Sequence, residues 1–187
     1  MVFERGKYMN WQKYNWSIII ISILFTFAAA SSSYYFWQQH TMTKPLTLAL
    51  EEIEGVEAVS LNNQDKAQTV LEIHVTLSNI NNLQTTYESI NHTIKTNIGP
   101  KRYTLILHDH KTPALEEFYY SIHHQIFEGL ATGNFSSMYN SIHEKAIAAD
   151  IKEQVYIDTN YLYLQLITAT GNLYQVIPRQ LDDKEVR

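Results

Sequence analysis

Hydrophobic and polar positions divide this chain into one long uncharged stretch, residues 14–43, and a following region of about 145 residues in which apolar positions recur at helix or strand spacing. The uncharged stretch carries Ile18-Ile-Ile-Ile, Ile23-Leu-Phe-Thr-Phe and Ala28-Ala-Ala, followed by three serines and Tyr34-Tyr-Phe-Trp37. A helix over 16–37 would be about 33 Å long at 1.5 Å per residue. A bilayer's hydrocarbon core is about 30 Å thick. Trp11, Tyr14 and Trp16 before the span, and Tyr34 to Trp37 after it, suit the headgroup level. Arg5, Lys7 and Lys13 precede the span and the next basic residue is Lys44. The pattern predicts a cytoplasmic tail over 1–15, a single transmembrane helix over 16–37, and an extracytoplasmic remainder at the cell membrane. A cleaved signal peptide ending at Ala28-Ala29-Ala30 is the competing reading. The absence of charge as far as Thr43 favours retention.

After a polar linker, 38–45, Leu46, Leu48, Leu50 and Ile53 give a short helix an apolar side, and Gly55 suits its end. A short strand over 56–61 follows. Residues 62–65, Asn-Asn-Gln-Asp, read as a turn. Over 69–77, Leu71, Ile73, Val75 and Leu77 alternate with Glu72, His74 and Thr76, the period of a half-buried strand. Asn79 or Asn81 is the expected cap of the next helix, whose face is Leu83, Tyr87, Ile90 and Ile94. Gly99-Pro100 ends it, and 102–108 is a strand. Thr112-Pro113 places a capping hydroxyl before a proline in the first turn. Leu115, Phe118, Ile122, Ile126 and Leu130 continue as a helical face, and Phe135, Met138, Ile142 and Ala146 give another. The stretches 155–158, 161–168 and 173–177 read as strands, the last two joined by the hairpin signal Ala169-Thr170-Gly171-Asn172. This order predicts an α+β fold: one domain over 46–179, its mainly antiparallel sheet packed by helices, before a polar tail at 180–187.

The run Leu50-Glu-Glu-Ile-Glu-Gly-Val-Glu-Ala-Val59, then Val70-Leu-Glu-Ile-His-Val75, then the helix ending at Ile98 resembles the ring-building motif, the small αββαβ module of bacterial envelope ring and appendage complexes. The resemblance covers residues 46–108. It implies self-assembly through the module and brings no catalytic residues with it.

Composition narrows the function classes. From Lys44 onward the chain has 11 Lys and Arg against 18 Asp and Glu, a net charge of −7. That balance lacks the basic field of a nucleic-acid-binding domain. There is no cysteine, so disulfide and thiolate chemistry are excluded. No G-x-S-x-G, S-x-x-K, H-E-x-x-H or glycine-rich phosphate loop occurs. One constellation could bind a metal. His108-Asp109-His110 would point two imidazoles to one side of a strand, and His123 on the next helix is the candidate third ligand of a zinc site. The competing reading is a polar strand end before Pro113. The glutamates 51, 52, 54 and 57 read as a solvated face, with a cation site as the alternative. Histidines 74, 92 and 143 are conceivable pH sensors, and the aromatics of 118–120 and 156–163 could line a groove.

The expectation is therefore a noncatalytic, membrane-anchored envelope protein. It carries no cofactor and acts through self-assembly or a protein partner. The alternatives are a ligand-sensing ectodomain working with a membrane partner, and a metal-dependent hydrolase using His108 and His110.

Overall fold

The computed structural model describes residues 16–38, 44–62 and 70–180. The expected tail at 1–15, all but Gln180 of the tail at 180–187, most of the linker and all but Asn62 of the turn at 62–65 lie outside the described residues. The chain divides into two compact units, Met1–Thr41 and Met42–Arg187. In the first, α1 (Trp16–Gln38) is helical as expected. Among the described residues, however, no helix is long and apolar enough to cross a membrane. The described apolar side chains of α1 run from Ile19 to Ala30 and are exposed, and Ser31 and Ser32 follow. Ser17, Ser22, Thr26, Ser31 and Ser32 set hydroxyl groups among the apolar side chains of this stretch and dilute its apolar character. This corrects the transmembrane helix at 16–37, and with it the single-pass location and the orientation derived from it.

The second unit is α+β and begins with an αββαβ arrangement. α2 (Lys44–Glu51) buries Leu46 and Leu50, four residues apart on one face. β1 (Val56–Asn62) pairs antiparallel with β2 (Val70–Leu77). The helix α3 (Leu83–Ile98) then carries the chain to β3 (Arg102–His108), which pairs parallel with β2. Ile73, Val75 and Leu77 of β2 are buried in one cluster with Ile90, Ile94 and Ile98 of α3. The period of two in β2 thus separates a core face from the face bearing Glu72, His74 and Thr76. The cap of α3 is Asn82, whose side chain accepts from the Thr85 N–H. The earlier asparagines do other work: Asn79 takes a left-handed φ of 53°, and Asn81 donates to Glu54.

The remainder is a helical hairpin followed by a meander. α4 (Pro113–Thr132) starts as expected, with the Thr112 hydroxyl accepting from the Leu115 N–H. It ends at Gly133, left-handed at φ 73°, a conformation that glycine adopts without a Cβ penalty. α5 (Phe135–Ala148) leads to β4 (Lys152–Ile157), β5 (Tyr161–Thr168) and β6 (Gly171–Pro178), all antiparallel. The single sheet expected is therefore two sheets of three strands, β1-β2-β3 and β4-β5-β6. Locally spaced strands pair with each other, and the α4–α5 hairpin occupies the chain between β3 and β4.

β5 is buried on both faces. Leu162, Leu164 and Leu166 pack with α4 and α5, while Tyr163, with Tyr161 beside it, packs with α3 and the first sheet. The layers are therefore the first sheet, α2 with α3, the second sheet, and α4 with α5. Tyr87 of α3 meets Tyr161 and Tyr163 edge-on, at ring separations of 5.5 and 5.7 Å. Gln165, 1% exposed, is the polar member of that face. Its Nε2 donates to the Ile80 carbonyl at 2.9 Å and its Oε1 accepts from the Leu83 N–H at 3.2 Å. The Leu83 N–H belongs to the first turn of α3, which has no partner within the helix.

Gln165→Leu should cost about 2–4 kcal/mol in denaturant unfolding, because it strands a buried donor and a buried acceptor together. Burial, followed by the neighbouring Tyr161, pushes the Tyr87 phenol up to about 12 from its ordinary 10.0. The folded state holds that proton more tightly. Its contribution is therefore complete below about pH 10 and lost as pH rises through about 12. Stability measured from pH 9 to 12 should decline over that window, less steeply in Tyr87→Phe.

Candidate functional site

The uncovered face of the first sheet gathers the charged and imidazole groups. Register places Ser60 beside His74 and His74 beside Ile106, with Thr76 beside His108. His74 and His108 are thus diagonal neighbours on adjacent parallel strands, both on the face away from the core. Nδ1 of His74 and Nε2 of His108 are 2.9 Å apart. The ring centroids are 5.2 Å apart and the planes differ by 15°. That separation equals the N···N distance plus one ring radius at each end. The imidazoles therefore lie end to end in nearly one plane, as a straight N–H···N hydrogen bond requires, rather than face on face. One nitrogen donates and the other offers its lone pair. The Glu72 carboxylate, two residues before His74 on the same face, is 3.9 Å from His74 Nε2.

The His108-Asp109-His110 motif comes apart in the fold. β3 ends at His108, so the period of two does not extend to His110. The chain crosses over instead, and His110 Nε2 meets Glu57 Oε2 of β1 at 2.6 Å. The Asp109 carboxylate accepts from the Tyr174 N–H at 2.9 Å. The His110 carbonyl accepts from the Asn172 N–H at 3.1 Å, and the His110 N–H donates to the Asn172 side chain at 3.0 Å. Asp109 and His110 thus close part of the outer edge of β6, satisfying backbone groups that a sheet edge leaves open. Gly171 permits the contact: a Cβ there would run into the His110 carbonyl and the Thr112 methyl. The polar strand end foreseen as the competing reading describes Asp109 and the His110 backbone.

His123 lies elsewhere, on α4, within a ring ladder of Tyr119, His124 and Phe127. It does not join His108 and His110. Among the described residues, no group of three or more His, Cys, Asp or Glu could hold a metal ion. The glutamate run is also dispersed: Glu54 takes the Asn81 amide and Glu57 takes His110. Of the other histidines, His92 is exposed, and His143 pairs with Glu153, whose side chain is 7% exposed. The aromatics divide. Phe118 and Tyr163 are core, whereas Tyr120 is 70% exposed.

Elsewhere, a shallow groove of about 330 Å³ lies between α5 and β4, lined by Phe135, Ser136, Met138, Tyr139, Asn140, Val155 and Ile157. Its lining mixes apolar side chains with the polar Ser136 and Asn140 and holds no charged or imidazole group.

His74 was legible as a member of the polar side of β2, and Glu57 as one of an acidic run. Their partners were not, since pairing across strands depends on register. No protein-family model, no curated protein and no solved structure matches this chain.

Asp109→Ala should cost about 1–3 kcal/mol, because the Tyr174 N–H loses a charged acceptor. His110→Ala keeps both backbone contacts and removes only an exposed pair, worth under about 1 kcal/mol. Thermal melting of the two variants side by side checks the order.

Proposed function

We propose that this is a noncatalytic interaction protein whose αββαβ module binds further copies of itself through the outer face of the first sheet. One observation carries the reading. The second sheet is packed on both faces, but Ser60, His74, Thr76, Ile106 and His108 on the outer face of the first sheet belong to neither core cluster. Within the second unit, no described element packs on them. A polar, half-exposed sheet face on a rigid helix-backed support suits a contact that forms by docking rather than by folding. The αββαβ order of 44–108 fits the resemblance to ring-building modules, which implies self-assembly.

The cysteine-free chain allows a direct test. A single cysteine placed at Ser60 or Thr76 should cross-link the full-length chain into one discrete product. A cysteine at Glu117, exposed on α4, should leave it monomeric. Monomer from all three positions, or equal cross-linking from all three, rejects the face as the contact.

A further inference from the structure

We infer that His74 and His108 form a two-imidazole site for a divalent transition metal of the Cu²⁺ and Zn²⁺ class, on the outer face of the first sheet. This goes beyond self-assembly and does not depend on it. The motif that drew attention in the sequence paired His108 with His110. The fold gives His108 a different partner, from β2.

Three features build the site. The first is separation. Two nitrogens each about 2.1 Å from one ion, at right-angle to tetrahedral spacing, stand roughly 3.0–3.4 Å apart. The pair already stands at 2.9 Å. The two nitrogens now face each other along one line, so each ring must turn by about 35–45° to aim its lone pair at a shared ion on the solvent side. The second is support. Both side chains rise from adjacent strands in fixed parallel register, so the sheet holds their Cα atoms in place. The third is the proton arrangement. Glu72 lies beyond the far nitrogen of His74, at 3.9 Å. A carboxylate there favours the tautomer with its proton on Nε2, leaving the Nδ1 lone pair directed at His108. At 3.9 Å the carboxylate is beyond hydrogen-bond reach and acts on the ring through its charge.

The exchange balances simply. In the free protein one proton lies between Nδ1 of His74 and Nε2 of His108. When the ion binds, His108 moves its ring proton to Nδ1 by exchange with water, and each facing nitrogen gives a lone pair to the ion. The His74–His108 hydrogen bond is replaced by two metal–nitrogen bonds, and no redox partner is needed. With two protein donors, the remaining positions are taken by water. Imidazole nitrogen selects copper, nickel and zinc over the hard cations, with copper tightest in the series.

Isothermal titration of the full-length chain with Cu²⁺, and separately with Zn²⁺, tests the site in a buffer that does not coordinate metals, at a concentration where sedimentation shows the chain to be monomeric and the face uncovered. The expected result is saturable binding at one ion per chain. His74→Gln and His108→Gln should each weaken it at least tenfold, while His110→Gln and the double variant His123→Gln/His124→Gln leave it unchanged. Glu72→Gln should weaken it by a smaller factor. Thermal melting of each variant, with no metal added, confirms that the substitutions leave the fold in place. No saturable binding, or binding lost with His123 and His124 but kept without His74, overturns the assignment. The cross-linking of Ser60 and Thr76 reads out self-assembly without added metal, so the two ideas can fail separately.

Discussion

The fold of the second unit depends on β5 being buried on both sides. A strand with water on one face needs one apolar set; β5 needs two, and its two sets differ in kind. Leucines 162, 164 and 166 face the α4–α5 hairpin. Tyrosines and Gln165 face α3. Burying each leucine contributes about 2 kcal/mol but is indifferent to direction. Gln165 supplies the direction. Its amide closes a donor of the first turn of α3 and the carbonyl of Ile80 together, so the helix can dock on the sheet in one register only. A buried amide that is fully satisfied specifies a geometry, and one half satisfied would weaken it.

That junction explains why the two sheets differ in exposure. The second sheet lies between α3 and the α4–α5 pair, and so has no free face. The first sheet has only α2 and α3 behind it. Its outer face keeps the polar half of the β2 alternation and the imidazoles of His74 and His108. The segment at Asp109 and His110 ties the two halves again from the other side, through the edge of β6. The αββαβ module and the hairpin–meander are thus held by a buried amide at one point and a backbone clasp at another. Within this unit, the outer face of the first sheet belongs to neither core cluster.

The clasp also shows how a chemically suggestive motif becomes structural. Two histidines around an aspartate look like ligands while the strand is imagined to run on. The strand stops at His108, so the three side chains diverge to a histidine on β2, a backbone amide of β6 and a glutamate on β1. The uncharged N-terminal stretch makes a related point. Its helicity followed from its composition, and α1 is a helix. Its reading as a membrane span does not stand, since among the described residues no helix is long and apolar enough to cross a membrane.

Local periodicity determined the elements themselves. The alternation of Leu71 to Leu77, the helical faces of α3, α4 and α5, the Thr112-Pro113 start and the hairpin before Gly171 were all readable from neighbours in the chain. Each is decided by sterics and hydrogen bonds within a few residues. The division into two sheets, the parallel pairing of β3 with β2, the tertiary cap from Gln165 and the meeting of His74 with His108 came only from the tertiary structure. The β2–β3 pairing, the His74–His108 contact and the Gln165 contacts join residues 32 to 85 positions apart. They depend on strand register and on which layer packs against which, and a sequence pattern fixes which face a side chain occupies but not what stands opposite it.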